Sequence, residues 1–355
     1  MNFMKSSYQT LLGRRVVKTA LAVFLTALIC EWIGWPPVFA VITAIVTIEP
    51  TVSDSIKKGL VRFPASAIGS AYAVLFIYLF NNSPLTYTLA AFFTIITCYR
   101  FKLHAGLLVA TITAVAMVEV IHANLFMSFF TRLGTTTVGL LVSTLVNMFI
   151  FPPNYTKRIM ANIQDLLTEM GEGLEAIIKQ QLTHQEITPK QLEDFELLKK
   201  KLDQTNRLVN FQTDEAKYHR HTPQMERVFH YERENLDRLK WLHYHLGNLI
   251  RTPLNNLSWS EQQRTDILQM VEILVNVMKY PDRYKAEDYE QQLHHIMQQF
   301  WDSKQPNNAE YASLFTPEVI ISYELASIYN IVEDILISEQ EHTHERKAKS
   351  SLLKT

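Results

Sequence analysis

Carboxylates are nearly missing from the first 153 residues of this 355-residue chain: Glu31, Glu49, Asp54 and Glu119 are all there are. Ten Lys and Arg residues share that stretch, which is net +6, whereas the remainder carries 24 basic and 31 acidic residues and is net −7. Such a division reads as a membrane part joined to a water-soluble part. Cysteine is scarce as well. Cys30 and Cys98 both sit in apolar runs, which argues against a secreted disulfide framework and for two inert thiols. There is no G-x-x-x-x-G-K-[ST] loop to cradle ATP, no H-E-x-x-H to hold a catalytic zinc and no G-x-S-x-G to present a serine. An enzyme reading therefore has no constellation to rest on, and no cofactor is implied. The paired histidines, His219 with His221, His243 with His245, His294 with His295 and His342 with His344, are one or two positions apart. On a helix those spacings point the rings away from each other, so no metal site is expected. The acidic second part also lacks a basic patch interleaved with aromatics, which disfavours a nucleic-acid partner.

What the first part has is long apolar segments, at roughly 16–33, 36–49, 60–80, 85–99, 103–121 and 133–151. A spanning helix needs about 20 residues, within a range of about 17–25. The first, third, fifth and sixth segments meet this length. The second and fourth are short and either extend into their flanking loops or are partly re-entrant. With the N-terminus inside, the inner loops receive Lys5, Arg14, Arg15, Lys57, Lys58, Arg100, Lys102, Lys157 and Arg158, while the outer loops hold neither Lys nor Arg. That bias predicts a multi-pass protein of the plasma membrane, embedded in the lipid bilayer, with both termini cytoplasmic.

The apolar part is written twice. ITAIVTIEP at 42–50 and ITAVAMVEV at 112–120 match at an offset of 70, which pairs Thr43 with Thr113 and Glu49 with Glu119. The same offset pairs Arg62 with Arg132, and Ala65, Gly69 and Ala73 with Thr135, Gly139 and Ser143. Each triplet is spaced by four, a small-residue pattern that lets helices approach closely in lipid. Each copy, about 14–83 and 84–153, holds three spans. An odd number forces the second copy to enter from the opposite side, which predicts a 3+3 inverted repeat.

Each glutamate precedes an arginine by 13 positions, across one hairpin. Ionisable groups within a bilayer are costly and commonly functional. Two uses fit Glu49, Glu119, Arg62 and Arg132. They form ion pairs that pin the hairpins, or they line a translocation path in which arginine attracts an anion and glutamate accepts a proton. A third reading has them snorkel to the interface with neither role. Thr43 and Thr113 add hydroxyls within the spans, where such groups more often bond the helix backbone or a neighbouring helix than a ligand.

From residue 154 the pattern becomes polar with helical apolar spacing, over roughly 155–182, 189–216, 223–255, 259–280, 284–303 and 317–345. Leu192, Phe195, Leu198 and Leu202 make one stripe; Leu236, Leu239, Leu242, Leu246 and Ile250 make another. Thr188-Pro189, Thr222-Pro223 and Thr316-Pro317 read as helix starts, and Thr188 to Gln191 and Ser258 to Glu261 as capping boxes. The fold class expected is all-α: a transmembrane domain over 1–153 with about six helices, and a cytoplasmic helical bundle over 154–355.

The span arrangement, the R-x-x-x-x-x-x-G elements at Arg62 to Gly69 and Arg132 to Gly139, the TLVNMFIFPP ending of the sixth segment and the appended helical domain resemble the aromatic acid exporter family, within the fusaric-acid-resistance-like group. The resemblance covers essentially the whole chain and is to the Gram-positive form. It implies proton-coupled efflux of small organic anions, aromatic carboxylates above all. Plant malate-type anion channels are distantly similar; that likeness implies an organic anion channel, and a homodimer. A membrane-anchored sensor or scaffold, with the bundle as partner-binding domain, is a further reading.

Overall fold

The computed structural model describes residues 2–120, 124–150, 153–183, 185, 187–218, 223–252, 259–284, 289 and 317–352. Among these residues every regular element is a helix. The helix expected over 284–303, the starts at Thr222 and Thr316, and His219, His221, His294 and His295 lie outside the described residues. The chain divides into two compact units: Met1–Asn154 with Phe211–Arg220, and Tyr155–Asn210 with His221–Thr355.

The first unit is built from α1 (Asn2–Ile33), α2 (Val38–Thr47), α3 (Val52–Phe80), α4 (Pro84–Arg100), α5 (Leu107–Val120) and α6 (Leu125–Phe149). Three stretches are long and apolar enough to cross a membrane: Arg15–Ile33, Val52–Phe80 and Leu125–Phe149. Helix α3 begins eight residues earlier than its apolar run, because Thr51 caps it by accepting from the Asp54 amide at 3.0 Å. Its first turns then carry the polar residues Asp54, Lys57 and Lys58. Helix α2 stops at Thr47, where Ile48 is extended (φ −72°, ψ 98°), one residue ahead of Glu49, which Pro50 disfavours from the helical region. The fifth segment, expected to reach spanning length, is shorter than that. Lys102 turns with φ 57°, a single 3₁₀ turn covers His104–Gly106, and α5 itself has 14 residues. Gly106 explains the turn's position, since a Cβ there would come within 2.5 Å of the Ala65 Cβ.

The two copies share a skeleton. Displaced by 70 positions, Val38–Thr47 falls on 108–117, inside α5, and Val52–Phe80 falls on 122–150, around α6. Their contacts are reciprocal. A Cβ on Gly69 would lie 2.3 Å from the Ala110 carbonyl oxygen, and one on Gly139 2.4 Å from that of Ala40. Gly139 is the repeat partner of Gly69, and Ala40 that of Ala110. Swapped contacts of this kind are the mark of a two-fold relation. The equivalent residues Ser66 and Thr136 touch each other, hydroxyl to hydroxyl at 3.3 Å, as self-equivalent positions do at such an axis. Ala65, Ala73, Thr135 and Ser143 are all buried on the packed faces of α3 and α6. Small side chains fill much of the interior, including Ala65, Cys98 and Ala110 in one cluster and Ala90 and Ala114, packed on Phe76, in another. Large ones face outward, among them Phe24, Trp32, Tyr78, Phe126 and Leu141. That inside-out distribution suits a lipid surrounding.

The second unit contains α7 (Thr156–Leu182), most of α8 (Pro189–Ala216), α9 (Pro223–Arg251), α10 (Glu261–Lys279) and α11 (Pro317–Leu352). Helix α7 packs against α9 and α10, and α9 against α11. Leu236, Leu239, Leu242 and Leu246 are buried as one stripe, with Leu166, Leu174 and Leu274 also in the core. In the α8 stripe Leu198 and Leu202 are buried and Leu192 is exposed. Thr188 and Gln191 form reciprocal bonds at 2.9 and 3.4 Å. A second capping box forms at Ser260 and Gln263, whereas Ser258, the expected cap, lies outside the described residues. His243 stacks on Phe195 with centroids 4.1 Å apart, and burial pushes its pKa below the usual histidine value. It packs as a neutral ring.

Candidate translocation site

Both arginines of the repeat are buried, and each is presented by a long helix whose opposite side faces outward. Their partners differ. Arg62 Nη2 donates to Glu49 Oε1 at 2.7 Å, and Nε donates to the Ala105 carbonyl at 3.3 Å. Glu49 Oε2 takes a second cation, Lys58 Nζ, at 2.9 Å. Its backbone is fixed as well. Asn147 Nδ2 donates to the carbonyls of Glu49 (3.2 Å) and Thr51 (3.3 Å) and to Ser55 Oγ (2.9 Å). Lys18 Nζ in turn donates to Asn147 Oδ1 at 2.9 Å. The α2–α3 loop is thus tied to α6 by the Asn147 amide, which a buried charge-assisted bond from Lys18 ties in turn to α1.

The second copy is wired differently. Glu119 is exposed, accepts a bond from the Tyr87 hydroxyl and forms no ion pair among the described residues. Arg132, only 3% exposed, reaches the Thr113 hydroxyl with Nη2 and lies over the Phe39 ring with its Cζ 4.1 Å from the centroid. Among the described residues, Nε and Nη1 of Arg132 have no hydrogen-bond partner, and neither does Nη1 of Arg62. The structure therefore joins Glu49 with Arg62, and Arg132 with Thr113, and does not join Glu119 with Arg132. Thr43 bonds its own helix, donating to the Phe39 carbonyl at 2.9 Å.

Several members of this constellation were not singled out by sequence pattern. Phe39 lies in the other copy from Arg132, so no spacing within a repeat could join them. Lys18 resembles a flanking basic residue of the first span, yet it is buried on Asn147. Lys58 looked like a loop charge because the start of α3 was hidden by its polar first turns.

A guanidinium out of water with unpartnered N–H groups is an anion acceptor in waiting: desolvated donors are expensive until something accepts from them. The adjoining aromatic face and hydroxyl set the chemistry of what would fit, namely an acidic oxygen attached to an apolar body.

Long apolar helices packed as a two-fold repeat, with buried charge inside, mark an all-α protein of membrane type. A family model described as aromatic acid exporter family member 1 matches residues 10–150. A UPF0421 protein of Oceanobacillus iheyensis is 46% identical over 339 residues, covering 94% of this chain and 98% of the relative. One from Bacillus cereus is 42% identical over 335 residues, covering 92% and 93%. Another, from Staphylococcus saprophyticus, is 37% identical over 276 residues, covering 76% and 83%. The chain belongs to the aromatic acid exporter family, alongside these UPF0421 proteins. Membership in that family suggests a membrane transporter.

Proposed function

We propose that the protein exports small organic carboxylates, aromatic ones in particular, across the plasma membrane, driven by proton uptake. The observation that carries this is Arg132: buried, laid on Phe39, and with Nε and Nη1 unsatisfied. A carboxylate accepts from those groups and its ring lies against the apolar wall. Arg62, whose Nη1 is likewise unpartnered, is the second basic station, related to the first by the repeat. Glu49 is engaged by two cations and serves to hold the inner loop. Glu119, which forms no ion pair among the described residues, is the carboxylate assigned to the proton step.

The orientation has both termini in the cytoplasm. The distribution of Lys and Arg over the loops supports it. So does the end of α8, which meets the α2–α3 loop and so shares its face of the membrane.

Purified protein in vesicles tests the reading. Benzoate uptake into vesicles is expected to follow an imposed pH gradient and to show counterflow, and Arg132→Gln is expected to lower it at least tenfold. Glu119→Gln is expected to abolish the response to the gradient and to leave benzoate exchange intact. A current that reverses at the anion equilibrium potential and ignores pH would replace the exporter with a channel. Absence of both flux and current would favour a scaffold.

A further inference from the structure

Helix α8 is one uninterrupted helix of 28 residues, Pro189–Ala216, yet its last turn and the residues after it, Phe211–Arg220, belong to the membrane unit. What that end brings to the membrane unit is a carboxylate. Glu215 is fully buried, and its Oε1 accepts from the backbone N–H of Val52, 163 positions away, at 2.5 Å. Val52 is the first residue of α3. The negative charge therefore sits on the positive end of a 29-residue helix, where amide donors are left over and an anion is favoured. The neighbouring Asp214 Oδ1 faces Lys57 at 3.8 Å, on the second turn of the same helix.

The place matters more than the bond. Val52 directly follows the loop that Asn147 holds by the Glu49 and Thr51 carbonyls, and that loop carries the Glu49–Arg62 pair. We propose that Glu215 is a latch: docked on the start of α3 it holds the α2–α3 loop in its closed arrangement and so restrains transport, and withdrawal of α8 releases the loop. A permanent anchor at this position would be made of apolar contacts, whose burial water does not readily undo. A carboxylate on a helix end is different, because water can replace either partner once the contact opens. Such a contact can be exchanged for water, which is what a switch requires.

This rests on the transport reading, so the test has one arm independent of transport. Ser53, the next residue of α3, is fully buried and its hydroxyl has no partner, so Ser53→Cys is a mild change. In a Cys30→Ala, Cys98→Ala background, Ser53→Cys is exposed to a membrane-impermeant maleimide on the cytoplasmic side. Labelling is expected to be slow with Glu215 present and faster by on the order of tenfold in Glu215→Ala, as the open arrangement gains population. Glu215→Gln keeps the size and an acceptor but loses the charge, and is expected to lie between the two. It stands in if the alanine variant fails to fold. Benzoate flux per folded molecule is expected to rise with labelling across the series. Equal labelling in all three overturns the latch, whatever the flux. Faster labelling with flux unchanged or lowered overturns its restraining role. A parent and variants that move no acid at all, while labelling differs as expected, sink the transport reading and leave the labelling result as support for the docked contact.

Discussion

The two three-helix copies of the membrane unit share one skeleton and carry two different circuits. Gly69 meets Ala110 as Gly139 meets Ala40, and Ser66 meets its own counterpart Thr136. Yet Glu49 is locked between Arg62 and Lys58 while Glu119, among the described residues, accepts from a tyrosine hydroxyl, and Arg132 turns to an aromatic ring of the opposite copy. Close packing depends on the absence of side-chain volume, which duplication copies directly. Charge pairing depends on which way each helix faces and on what the neighbouring copy presents. One altered neighbour suffices to break it: the position of Phe39 is occupied in the second copy by Val109, which has no aromatic face. The symmetric part builds the scaffold, and the asymmetric part separates a structural ion pair from an unsatisfied binding group.

The comparison can be broken at the skeleton first. Gly69→Ala and Gly139→Ala each drive a Cβ to within 2.4 Å of a backbone oxygen that cannot move without its helix, so each should cost about 3 kcal/mol or more. Folded yield in detergent should fall alike for both. A variant tolerated in one copy only would show that the packing symmetry is not an energetic one. The arginines should diverge. Arg62→Ala strips Glu49 of one of its two cations and should cost about 1–3 kcal/mol, read as a lower melting temperature. Arg132→Ala leaves no carboxylate behind and should melt near the parent while losing flux; equal melting losses would make both arginines structural. The smallest effect is expected at the axis. A double-mutant cycle on Ser66→Ala and Thr136→Val should give a coupling of about 0.6 kcal/mol, as interhelical hydroxyl bonds in lipid do.

The repeat, the tight faces and the helical second part were legible in the sequence because each is local: an offset of 70, a spacing of four, a stripe of leucines. Helix ends were less so. Hydropathy does not distinguish a helical apolar residue from an extended one, so Ile48 and Leu103 read as parts of spans although Pro50 and the turn at Lys102 end the helices before them. A spacing of 13 fixes only which end of a hairpin two residues share; it does not fix their rotation about the helix axis. It therefore gave the right pairing for Glu49 and not for Glu119. Glu215 could not be read at all, since it lies at the end of a polar helix and its partner is a backbone amide.

Ten residues of α2 rise about 15 Å, against a hydrocarbon depth of about 30 Å. Helix α5, with 14 residues, rises about 21 Å. Neither crosses such a depth by itself, so the backbone groups at its ends depend on the longer helices packed beside it, as the carbonyls of Glu49 and Thr51 depend on Asn147 of α6.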